Sequence, residues 1–139
     1  MVILDTNVLS ELTRINPSSR VVAWVDRLEA SEIYVTAISK AEVKFGLEIM
    51  LEGKRQLELE KKYERLFTTL LFRRVLPFDD PCTGPFARFA AHAEKRGRGH
   101  STADLQIAAI ASRHNAVVAT RNVNDFDHEG LQVIDPWAE

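Results

Sequence analysis

Apolar positions along the chain follow two alternating rhythms. Short apolar runs of strand character sit at Val2-Ile3-Leu4, Ile33-Tyr34-Val35, Val117-Val118-Ala119 and, edge-like, Leu131-Gln132-Val133-Ile134, with a weaker one at Val75-Leu76 before Pro77. Between them the spacing changes to the three-and-four period of helices. Residues 6–13 read as one helix, and Pro17-Ser18-Ser19 opens a second from Val21 to about Glu29. Residues 40–51 carry Val43, Leu47 and Met50 on one stripe and Phe45 and Ile49 on the next. Residues 55–71 form a more charged helix. Residues 85–96 place Phe86, Phe89, Ala90 and Ala93 at i, i+3, i+4 and i+7, and residues 102–114 are apolar almost all round. Strands alternating with helices predict an α/β fold with a mostly parallel sheet covered on both faces. Such sheets bind ligands beyond the carboxyl ends of their strands. The site is therefore expected just after residues 4, 35 and 119.

Length and charge narrow the picture. The 139 residues fit one domain, 1–139, and 45% hydrophobic content supports a packed core. No apolar stretch is long enough to span a bilayer. The opening Met1-Val2-Ile3-Leu4 lacks the basic leader and cleavage region of a signal peptide. The single cysteine, Cys82, has no partner for an internal disulfide, and a reducing cytoplasm is the natural setting. A net charge of −2 is not that of a typical nucleic-acid binder. One basic stretch, Lys95-Arg96-Gly97-Arg98-Gly99-His100, stands just before an acidic residue of interest. A solvated helix end explains that stretch equally well.

Three acids share an unusual context. Asp5 ends a strand and opens a helix; Glu42 follows Ser39 as Ser-x-x-Glu; Asp104 follows Ser101 as Ser-x-x-Asp. Each taken alone reads as a helix cap. The residues that follow argue for more. Positions i+3, i+4 and i+7 from Glu42 are Phe45, Gly46 and Ile49, and from Asp104 they are Ile107, Ala108 and Ala111. A surface acid more often heads a polar face with Lys or Arg at i+4. These two head apolar faces, expected to point inward. Carboxylates gathered at a partly buried edge repel one another unless a cation intervenes. A hard divalent ion such as Mg²⁺ or Mn²⁺ suits an all-oxygen donor set. Asp125, in Asn124-Asp125-Phe126 past the 117–119 strand, is a candidate fourth acid. Thr120 is placed to support a water or a carboxylate, and Arg121 a carboxylate or a phosphate.

Other chemistries lack their motifs. The four histidines show no metal-ligand spacing, and there is no Gly-x-Ser-x-Gly, Walker loop or dinucleotide fingerprint. Leu4-Asp5-Thr6-Asn7-Val8 loosely resembles the opening of haloacid-dehalogenase phosphatases, with Asp5 as nucleophile. That family wants an aspartate where this chain has Asn7.

The same opening, extended to Val2-Ile3-Leu4-Asp5-Thr6-Asn7-Val8, resembles more closely that of PIN domains. Ser39-Lys40-Ala41-Glu42, Ser101-Thr102-Ala103-Asp104-Leu105-Gln106-Ile107-Ala108-Ala109 and Ala119-Thr120-Arg121-Asn122-Val123-Asn124-Asp125-Phe126 resemble the later acidic motifs of that family, in order. The ending Asp135-Pro136-Trp137 resembles that of one branch, and the overall pattern is similar to VapC/FitB-like toxins of the plasmid stability type. The resemblance covers essentially the whole chain. It implies a Rossmann-like sheet, Mg²⁺- or Mn²⁺-dependent RNA cleavage, a homodimer, and inhibition by an antitoxin that is a small DNA-binding protein. By motif, Asp5 and Asp104 would be metal ligands, Glu42 would complete the acidic site, and Thr6 would support the metal or its water. Some members carry an aspartate where this chain has Asn122. Asp125, rather than Asn122, is then expected to supply the fourth charge. Arg96, Arg98 and Arg121 are the expected RNA contacts. The competing non-enzymatic reading is a module that only binds a partner within an antitoxin–DNA regulatory complex.

Overall fold

The computed structural model describes residues 1–139. Five strands form one sheet in the order β3-β2-β1-β4-β5: β1 (Val2–Leu4), β2 (Ile33–Thr36), β3 (Val75–Leu76), β4 (Val117–Ala119) and β5 (Gln132–Ile134). Every pairing is parallel, with Ile3 opposite Tyr34 on one side and Val118 on the other. The two-residue β3 and the half-exposed β5 form the edges.

Parallel strands need crossovers, and helices supply most of them. Helices α1 (Thr6–Leu12) and α2 (Ser19–Asp26) join β1 to β2, and α3 (Ala37–Glu48) and α4 (Lys54–Thr68) join β2 to β3. Helices α5 (Thr83–Lys95) and α6 (Thr102–Arg113) lead back to β4. Strand pleating divides the core: Ile3 and Val118 pack against α5 and α6, whereas Leu4, Val35 and Ala119 pack with α1, α2, Val43 and Tyr63. From β1 the chain winds one way to β2 and β3, then crosses back to β4 and β5. The gap between β1 and β4 is thus the topological switch point, where α/β sheets bind ligands.

Three short 3₁₀ turns, Ala30–Glu32, Asp80–Cys82 and Val123–Phe126, were not foreseen from spacing. Helix α3 begins and ends earlier in the chain than its spacing predicts. Its cap is Thr36, at the end of β2, whose hydroxyl accepts the Ser39 N–H at 3.1 Å. Ser39 therefore lies inside the helix, fully buried, and the capping box expected between Ser39 and Glu42 does not form. The second helix ends at Asp26, and its Ser18 cap accepts the Val21 N–H. No helix is long and apolar enough to cross a membrane.

Candidate active site at the sheet switch point

Asp5 leaves β1 at the switch point and caps α1: its Oδ1 accepts the Thr6 N–H at 2.8 Å. Capping and site chemistry are not exclusive here. Oδ2 accepts two further bonds, from Thr120 Oγ1 at 2.8 Å and Asn7 Nδ2 at 3.1 Å. The residue is only 5% exposed. Burial pushes its carboxyl up from 3.8 to about 6; the Thr120 and Thr6 hydrogen bonds oppose that rise, and the charges of Asp104 and Glu42 add to it. Three acids separated by up to 99 residues in sequence thus share one electrostatic environment.

Glu42 reaches this edge from the second turn of α3, where Thr6 Oγ1 donates to its Oε1 at 2.8 Å and lies 3.0 Å from Ser39 Oγ. The expected inward face below it is not inward. Phe45 and Ile49 are 66% and 67% exposed, because Val43 on the other stripe is the one that enters the core. Asp104 behaves as expected: Ile107, Ala108 and Ala111 below it are fully buried. Ser101 caps α6 and accepts the Asp104 N–H at 3.1 Å. Burial raises the Asp104 carboxyl, the Ser101 hydrogen bond lowers it, the Asp125 charge raises it and His100 lowers it.

Asp125 lies in the 3₁₀ turn after β4, partly buried beside the fully buried Phe126. The neighbouring Asn122 is exposed, and its side chain caps nothing. Its backbone N–H bonds to Thr120 Oγ1 at 3.1 Å, and its carbonyl accepts the Asp125 N–H at 3.0 Å. Of the two, Asp125 is the one whose charge Asp104 feels.

The basic stretch is first of all a helix end. Gly97, at φ 68°, lets the chain close α5: its N–H bonds to Glu94 O and that of Arg98 to Ala93 O. Arg98 then pairs with Asp127 at 2.8 Å, and Arg96 donates to the Asp127 carbonyl at 3.2 Å. Arg98, Gly99 and His100 consequently face Asn124 and Asp125 across an open cavity of about 380 Å³. Arg121, open from sequence to a carboxylate or a phosphate, pairs with no carboxylate, and its guanidinium lies over the Trp137 ring at 5.0 Å. A larger cavity, about 420 Å³ between α3 and α4, is lined by Lys40, Lys44, Tyr63 and Phe67 and lies away from the acids. The roles of Asn7, as a hydrogen-bond partner of Asp5, and of His128 carry no signal in sequence. His128 is buried, stacks on Phe89 at 4.5 Å and is held to about 4, first by burial and then by His100 and Arg96.

The chain's three ion pairs all lie elsewhere, so no Lys or Arg neutralises Asp5, Glu42, Asp104 or Asp125. No three His, Cys, Asp or Glu side chains form a ready-made chelating cage. Uncompensated oxygen donors of this kind fit a hard divalent cation.

The PIN-domain family model matches residues 2–128. The chain belongs to the PIN-domain family. It is 39% identical to Toxin FitB of Neisseria gonorrhoeae over 99% of both chains. It is 40% identical to VapC ribonuclease Y4jK of Sinorhizobium fredii, over 99% of this chain and 98% of that one. The solved structure of FitAB bound to an IR36 DNA fragment superposes with a TM-score of 0.90 at 39% identity, over 99% of this chain and 96% of that chain.

Proposed function

We propose that this chain is a divalent-metal-dependent endoribonuclease, the toxin half of a toxin–antitoxin pair. The observation that carries the reading is the buried Asp5, with no cationic partner, coupled to Asp104 and Glu42 at the sheet switch point. Asp5 and Asp104 would hold Mg²⁺ or Mn²⁺. When bound, such an ion supplies charge for the phosphate oxygens and lowers the pKa of water. Glu42, anchored through Oε1 on Thr6, keeps Oε2 free to orient the attacking water. Asp125 adds the fourth charge beside Asp104. Asp5 at about 6 is mostly ionised at neutral pH and available as a ligand.

RNA is gripped by cations around these acids. Arg121 pairs with no carboxylate, and Trp137 restrains its guanidinium without cancelling its charge. Arg98 is already engaged by Asp127, and Arg96 is exposed. The kinship with FitB, and the FitAB–DNA structure, support a small DNA-binding antitoxin as partner. The outward Phe45 and Ile49 suit a second copy of the chain. The phosphatase reading loses support at Asn7, which donates to Asp5 and offers no acid.

The test is incubation of purified protein with single-stranded RNA and with a phosphomonoester, each with Mg²⁺, Mn²⁺ or EDTA. Internal RNA cleavage that requires the ion and disappears in Asp104→Asn is the expected result. Phosphomonoester hydrolysis alone would favour the phosphatase, and no hydrolysis of either would favour a binding module.

A further inference from the structure

Asn7 stands where the two arms of the site meet. Its Nδ2 donates to Asp5 Oδ2 at 3.1 Å and to Thr120 Oγ1 at 3.2 Å, and its Oδ1 accepts the Arg121 N–H at 3.2 Å. A main-chain N–H can only donate, which fixes the orientation of the amide. Thr120 Oγ1 is satisfied in turn: it donates to Asp5 and accepts from Asn7 and from the Asn122 N–H. Asp5 has three of its about four lone-pair directions occupied, leaving one on Oδ1. The carboxylate cannot rotate without breaking two bonds on Oδ2.

We propose that Asn7 is a positioning residue that fixes the Asp5 carboxylate and ties it to the 120–126 segment carrying Asp125. The proposal rests on the metal-dependent reading above. The side chain must donate and accept at once from a short stem. Aspartate would only accept and would set a second charge against Asp5; serine is too short to reach both arms. Partners that orient a metal ligand in this way typically govern affinity by about 10–100-fold.

The experiment measures Mn²⁺ affinity by electron paramagnetic resonance, with thermal melts alongside, for wild type, Asn7→Ala, Thr120→Val, the double variant and Asp5→Asn. Asn7→Ala and Thr120→Val should each weaken Mn²⁺ binding about 10–100-fold while still melting in one cooperative step, at a temperature lowered only as far as the lost hydrogen bonds account for. The double variant should lose far less than the product of the two, because both act through one oxygen. Should Asn7→Ala fail to fold, Asn7→Ser carries the same expectation. Wild-type affinity in a folded Asn7 variant, or losses that multiply, would overturn the proposal while leaving the metal reading intact if Asp5→Asn abolishes binding. Unimpaired binding in Asp5→Asn would overturn both.

Discussion

Replacing Asp5 by asparagine should stabilise the metal-free protein while abolishing its activity. The ionised carboxylate is held where its pKa has risen from 3.8 to about 6. At ~1.4 kcal/mol per pH unit, that placement costs about 3 kcal/mol at neutral pH. Asparagine removes the charge; with its carbonyl kept towards Thr120 and Asn7, it loses only the bond from the Thr6 N–H, about 1 kcal/mol. The net gain of about 2 kcal/mol corresponds to roughly 7 °C in melting temperature for a domain of this size. A raised carboxyl takes up a proton on folding between 3.8 and about 6, so wild-type stability is lost as pH rises through that window. With the hydrogen-bond loss constant, the advantage of Asp5→Asn should be full above about pH 7, shrink as pH falls through the window, and become a deficit of about 1 kcal/mol below 3.8. Thermal melts in EDTA at pH 7.5, 5 and 4 measure it. A variant less stable than wild type at pH 7.5 would show instead that the carboxylate serves mainly as the α1 cap.

Further outcomes follow from other parts of the molecule. Arg121→Gln should weaken binding of uncleaved single-stranded RNA and lower the log–log salt slope by about 0.7, whereas Trp137→Leu should weaken binding with the slope kept; fluorescence anisotropy across a salt series measures both. His128 sits at about 4 in the folded chain against 6.5 free, so it costs stability as pH falls from 6.5 towards 4. His128→Phe should flatten that loss in denaturant titrations. Asp125→Asn should reduce Mn²⁺ affinity and Asn122→Ala should not, as calorimetry would show; the reverse result would reassign the fourth position. Phe45→Ser with Ile49→Ser should shift the protein to monomer in light scattering at micromolar concentration.

Much of this architecture was legible because the strongest signals were local. Val117–Ala119 is a strand bounded as its apolar run predicts, and the face below Asp104 is buried as its spacing requires. Helix α3 shows where local reading ends. It carries two apolar stripes, and nothing in its own residues says that Val43 turns inward and Phe45 outward; packing across the sheet decides. Its true cap, Thr36, was hidden because a β-branched residue after Ile33-Tyr34-Val35 reads as strand and serves as both. Glu42 shows the same limit: the face below it is exposed, and it is Thr6, 36 residues away in sequence, that holds its carboxylate. Asn7 was noticed only as a missing acid. Its role depends on the β4 end arriving beside α1, a contact between residues 113 apart in sequence that no local pattern encodes.

The proposed nuclease requires these acids to hold its ion jointly. Anomalous diffraction from crystals of the protein soaked in Mn²⁺ locates that ion. An anomalous peak is expected at the switch point between β1 and β4, within ligand distance of Asp5 and Asp104 carboxylate oxygens and absent in Asp104→Asn crystals. A peak confined to another place, such as the cavity between α3 and α4, or none at saturating Mn²⁺, would contradict it.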